Sequence, residues 1–139
     1  AARHEAAGVV AVGPHLFVED VSVASIAKAR EAYESGALRE RLARHHADVD
    51  SAFYGWNDVW LSPAFRGWNV ERDIRAIRCP VLAVQGEEDE YGTLEQVRAV
   101  QRAVPHAELL VLGACGHSPQ RDQPEALARA AGRFIVAHS

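Results

Sequence analysis

The stretch Ile77-Arg-Cys-Pro-Val-Leu-Ala-Val-Gln-Gly-Glu-Glu-Asp89 decides how this chain folds. Val81 to Val84 is a continuous, β-branched apolar run that closes on Gln85, too short for a helix and without the alternation of a half-exposed strand. Such a run reads as a strand covered on both faces, the habit of parallel sheets. Pro80 disfavours helix in the residue before it, so the strand starts cleanly. Gly86 then releases it into Glu87-Glu-Asp-Glu-Tyr-Gly92, an acidic loop bounded by glycines.

Outward from that strand, the same alternation continues. Thr93 with Gln96 forms a capping-box signature for a helix to about Val104, with Leu94, Val97 and Val100 or Gln101 on its inner stripe, and Pro105 stops it. Glu108 to Leu112 predicts another strand, which runs into Gly113-Ala-Cys-Gly-His-Ser-Pro119. Asp122 with Glu125, and Pro124 in the first turn, predict a last helix that turns Leu127, Ala131, Phe134 and Ile135 inward. Towards the amino end, Gly8-Val-Val-Ala-Val-Gly13 before Pro14 is a third buried strand. Ser22 to His46 is helical in pattern and broken at Ser35-Gly36, with Ser35 as the expected cap of the second piece. Six of the ten aromatic residues fall between Phe53 and Trp68, and Asn69 is placed to cap a short helix through Ile77. Strands separated by helix-length spacers require crossovers of the parallel kind. The fold class is α/β: three mostly parallel strands with packed helices and a helical insertion.

Composition narrows the function. The 139 residues hold Lys+Arg 15 against Asp+Glu 19, a net charge of -4, with 48% apolar residues. Nucleic-acid binding needs clustered excess cations, which are missing, so no nucleic-acid partner is expected. The apolar runs fall far short of the roughly 20 residues that cross a bilayer, and no charged-then-apolar leader is visible, so no membrane partner is expected either. Two cysteines, Cys79 and Cys115, do not make a disulfide framework and fit a reducing, cytoplasmic setting. Arginine outnumbers lysine fourteen to one, which fits a GC-rich bacterial coding sequence. Methionine is absent altogether, so a processed or partial translation product is expected.

In parallel sheets, functional groups gather where strands end at their carboxyl side. Asp89 lies four residues beyond Gln85 and His117 five beyond Leu112, so two neighbouring parallel strands bring them to one edge. A carboxylate and an imidazole so placed make an orienter and a general base. Glu87, Glu88 and Glu90 compete with Asp89, as does the pair Glu19-Asp20 after the first strand. His15 falls just past that strand, on the same edge, and Tyr91 adjoins the acid. Trp56 and Trp60, four apart, share a face of any helix they occupy. His45 and His46 with Asp48 and Asp50 invite a metal, but adjacent helical histidines point about 100° apart and do not converge. Cys115 stands too close to His117 in the chain to face it as a nucleophile.

At these residues the chain resembles the α/β-hydrolase superfamily. Ile77 to Asp89 is similar to that family's penultimate strand and acid loop, Cys115-Gly-His117-Ser-Pro119 to its histidine loop, and Asp122-Gln-Pro-Glu125 to its closing helix. Val9 to Phe17 resembles the strand that leads into the lid, and the order acid before histidine agrees. The resemblance implies that residues 1–20 and 78–139 form the carboxyl-terminal part of the core and residues 21–77 a helical cap. It implies a hydrolase acting on an ester or related electrophilic bond, with His117 as base, Asp89 as acid, and no metal or organic cofactor. A small-molecule substrate with an apolar part would meet His15, Trp56, Trp60 and Tyr91. Ser22, Ser25, Ser35, Ser51, Ser62, Ser118 and Ser139 all lack the flanking glycines of a G-x-S-x-G elbow. The expectation is therefore a portion of a longer enzyme, inactive in covalent catalysis by itself, that pairs with an amino-terminal half or as a homodimer. The alternative is a non-catalytic module whose aromatic region holds a hydrophobic ligand or another chain.

Overall fold

The computed structural model describes residues 6–139; the first five, at the head of the segment 1–20 expected in the core, lie outside the described residues. Contacts divide the chain into two compact units. One comprises the residues up to Phe17 together with Asn69–Ser139, the other Val18–Trp68.

The first unit is built on a sheet of three parallel strands, β1 (Val9–Val12), β2 (Val81–Gly86) and β3 (Glu108–Leu112), in the order β1-β2-β3. Val9 stands opposite Val81 and Leu82 opposite Glu108. Every residue of the central β2 is buried, as its unbroken apolar pattern predicts. Its side chains alternate between two cores. Val81 and Ala83 join Leu16, Val97, Val100 and Val104 under α4 (Glu95–Ala103). Leu82 and Val84 join Leu112, Cys115 and Phe134 beneath α6 (Pro124–Ala137), which follows the short α5 (Pro119–Asp122). Full burial is worth about 1.5–3 kcal/mol for each large apolar side chain, which is why a strand with helices on both sides keeps no alternation.

Several predicted caps have other uses. Gln96 serves a segment far from its own helix. It is wholly buried, its Oε1 accepting from the Leu16 backbone N–H at 2.8 Å and its Nε2 donating to the Phe17 carbonyl at 3.1 Å. Among the described residues, the irregular chain leaving β1 pairs only through one bridge, Phe17 with Asn69, and the amide supplies partners for the Leu16 N–H and the Phe17 carbonyl. Asp122 accepts from the Gly116 backbone N–H at 3.0 Å rather than capping α6. Ile135 is 57% exposed while Phe134 is buried, since neighbours 100° apart on a helix cannot both face the sheet. Asn69 turns the chain through Glu71, whose N–H it accepts at 2.8 Å, into a 3-10 turn at Asp73–Ala76. Residues 69–77, read from sequence with the helical region, cluster with the sheet.

The second unit holds α1 (Asp20–Glu34), α2 (Ala37–Ala43), α3 (Val49–Leu61) and a 3-10 turn at Pro63–Gly67. Ser35 ends α1 instead of capping α2, and Gly36, at φ +99°, makes the corner. Asp48 caps α3, accepting from the Ser51 N–H at 3.0 Å. Tyr33, Val49 and Phe53 form the core of this unit, with the Tyr33 and Phe53 rings stacked at 3.8 Å. Asp50 takes both arms of the Arg39 guanidinium, at 2.7 and 2.8 Å, and the Tyr33 hydroxyl at 2.5 Å. The hydrogen bonds from Arg39 and Tyr33 pull its carboxyl down to about 2. Among the described residues, no helix is long and apolar enough to cross a membrane.

Candidate active site

The site stands where β2 and β3 end. Two backbone bonds tie the loops that leave them: the Glu87 N–H donates to the Leu112 carbonyl at 2.8 Å, and the Glu88 N–H to the Cys115 carbonyl at 2.9 Å. Gly86 is required at this crossing, because a Cβ there would collide with the carbonyl oxygens of Cys115 and Gly116. The sharp turn after β3 uses Ala114 at φ +48°.

This crossing delivers the acid to the histidine. The Asp89 side chain is 1% exposed, and its Oδ1 and Oδ2 lie 3.1 and 3.0 Å from Nδ1 of His117. An ionised carboxylate can only accept, so Nδ1 carries the proton and Nε2 is left for chemistry. Oδ1 also accepts from the Tyr91 backbone N–H at 2.8 Å, and Oδ2 from the Gln85 side chain at 3.3 Å. Glu90 grips the same histidine elsewhere, its Oε2 accepting from the His117 backbone N–H at 3.1 Å. The hydrogen bond to Asp89 raises the imidazole above its ordinary value; burial opposes this, and the charges of Asp89 and Glu90 add to it. Burial pushes the Asp89 carboxyl up, but the bonds from His117 and Tyr91 outweigh it and hold the group below its usual range.

The imidazole is walled on several sides. Gly13, at φ +57°, lies so close that a Cβ there would meet His117 Cε1 at 3.0 Å. The Tyr91 ring is centred 4.9 Å away and the His15 ring 5.7 Å. Of the residues singled out in the sequence, Asp89, His117, His15 and Tyr91 are thus brought together. Asp20 pairs with Arg66 at 2.7 Å within the helical unit. Trp56 and Trp60 belong to that unit too, in separate ring groups: Trp56 packs edge-on against Phe53, and Trp60 against Phe65 and Trp68. Trp56 keeps 39% of its surface exposed. Asp48 and Asp50 serve the cap of α3 and the Arg39 pair, and among the described residues no three His, Cys, Asp or Glu side chains converge as a metal cluster would. Cys115 is 1% exposed and burial pushes its thiol up, the reverse of what a nucleophile needs.

Three residues of the site escape a reading by motif: Gln85, Gly13 and Glu90. The signal for Gln85 was a polar residue closing an otherwise apolar strand. For Gly13 it was a glycine between strand and proline. Glu90 had none beyond its neighbour.

A parallel sheet of three strands thus carries a buried acid and a histidine on adjoining strand ends. The chain belongs to the alpha/beta hydrolase family, whose sequence model matches residues 1–130. Over 66 residues it is 35% identical to the 2-hydroxymuconate semialdehyde hydrolase of Pseudomonas putida, a match covering 48% of this chain and 24% of that protein. Its structure is similar to a serine hydrolase involved in carbazole degradation (TM-score 0.67, 19% identity, 94% of this chain and 54% of that one). It is also similar to an esterase from Thermogutta terrifontis (TM-score 0.62, 20% identity, 96% and 57%). A meta-cleavage product hydrolase from Pseudomonas fluorescens IP01 gives a TM-score of 0.64 at 18% identity, with coverage of 94% and 56%. The chain therefore spans little more than half the length of these solved structures and about a quarter of the curated relative.

Proposed function

We propose that this chain carries the acid and the base of a hydrolytic triad, Asp89 and His117, and that the nucleophile is contributed by polypeptide outside this sequence. The observation behind this reading is the buried Asp89 carboxylate lying across Nδ1 of His117. That geometry fixes the tautomer and favours the imidazolium that forms when Nε2 takes a proton from a nucleophile or a water. Substrates would be small molecules with an ester or another electrophilic bond, in line with the hydrolase relatives. His15 and Tyr91, whose rings flank His117, would line the reacting end. β1 stands at one edge of the described sheet with Val12 39% exposed, and an open apolar edge takes up another strand, which supports a continuing sheet or a second copy.

The test has two parts. A fluorophosphonate probe should leave the 139-residue chain unlabelled; stoichiometric labelling would overturn the claim that it has no nucleophile. Joined to the polypeptide encoded immediately upstream, the protein should hydrolyse p-nitrophenyl esters, and His117→Ala should lower kcat by about 10²–10⁴-fold or more. Activity indifferent to that substitution would sink the role of His117.

A further inference from the structure

We propose that Gln85 is a positioning residue that aims the Asp89 carboxylate at His117. The proposal rests on the reading of those two residues as orienter and base. Gln85 stands near the carboxyl end of β2, 1% exposed. Its Nε2 lies 2.8 Å from the Gly92 carbonyl, 3.1 Å from the Thr93 carbonyl and 3.3 Å from Asp89 Oδ2. One amide thus gathers the acid and both residues at the far neck of the acid loop.

Three acceptors crowd the amide nitrogen, so its orientation is determined: turned over, the side chain would set its own oxygen against all three. Oε1 is buried and meets no hydrogen-bond donor among the described residues. A leucine or methionine would fill this place without that desolvation cost, so what glutamine adds is direction rather than burial. The carboxylate has one anchoring donor on each oxygen, the Tyr91 N–H on Oδ1 and Gln85 on Oδ2, with His117 bridging both. Remove Gln85 and, among the described residues, Oδ2 keeps only the imidazole it is meant to orient. Gly92 leaves room for the neighbouring ring rather than for the amide, since a Cβ there would lie 3.1 Å from His15 Cε1.

The experiment is proton NMR of the full 139-residue chain, unsubstituted and as Gln85→Met. In the unsubstituted chain the Nδ1–H proton of His117 should resonate far downfield, and the ring should titrate above the ordinary histidine midpoint. In Gln85→Met the downfield signal should broaden away and the midpoint should fall, with the backbone amides still dispersed. A folded Gln85→Met chain with both readings unchanged would overturn the proposal. Asp89, Tyr91 and His15 face this ring, and Glu90, on the backbone N–H of the same residue, adds its charge. Glu90→Gln is therefore the control: it should lower the midpoint by loss of charge yet leave the downfield signal in place, and loss of that signal would count against Gln85 as the positioning group. Should Gln85→Met fail to fold, the unsubstituted chain still decides. The Gln85 side-chain amide protons should move with the midpoint of His117, and a flat response overturns the idea. Absence of both the downfield signal and the raised midpoint in the unsubstituted chain would instead overturn the orienter and base reading, and this proposal with it.

Discussion

At the residue scale, the Asp89–His117 pair makes stability depend on pH in a direction that can be worked out. His117 titrates above its ordinary 6.5 when folded, so its contribution is complete below 6.5 and is lost as pH rises through the raised folded value. Asp89 titrates below its ordinary 3.8, so its contribution is present above 3.8 and is lost as pH falls through the depressed value. Both hold between those ordinary values. Urea unfolding of the chain and of Asp89→Asn should therefore differ most near about pH 5 and less near about pH 9. A difference that stays level over that range would show that the pair is not coupled to folding. Asp89 and His117 were legible in the sequence because each follows a strand end at short, countable distance. The double grip on His117, by Asp89 at the ring and Glu90 at the backbone, was not, because four neighbouring acids look alike until the loop is folded.

Elements were legible to the extent that their reasons are local. All three strands stand where apolar runs bounded by glycine and proline put them, and Ser35-Gly36 divides α1 from α2 at the expected break. Caps were misread where a side chain serves a distant segment. Gln96, in sequence a capping partner of Thr93, bonds to Leu16 and Phe17, about 80 residues away. Gln96→Leu should strand the buried Leu16 N–H, costing about 1–3 kcal/mol, and leave the half-buried Phe17 carbonyl without its bond. Denaturant unfolding measures the loss, and a loss of only a few tenths would show that the segment after β1 finds other partners. The same substitution should move the His15 ring resonances, since Leu16 and Phe17 directly follow that histidine.

At the scale of the whole molecule, the two units have separate cores: one around β2, the other around Tyr33, Val49 and Phe53. Phe53→Ala should destabilise the helical unit by about 3–5 kcal/mol. Hydrogen exchange should then speed up at amides of α1 and α3 while those of β2 keep their protection. Equal acceleration in both units would show that they unfold as one. The sequence by itself determined the α/β class, the parallel strands and the two loops that hold Asp89 and His117, because strand burial and loop chemistry follow from residues adjacent in the chain. Only the tertiary structure decided that Glu90 holds the His117 backbone, what Gln85 and Gln96 bond to, and why Gly13 and Gly86 must lack a side chain. Those outcomes depend on contacts between segments far apart in sequence, and no local pattern encodes the few tenths of an ångström on which they turn.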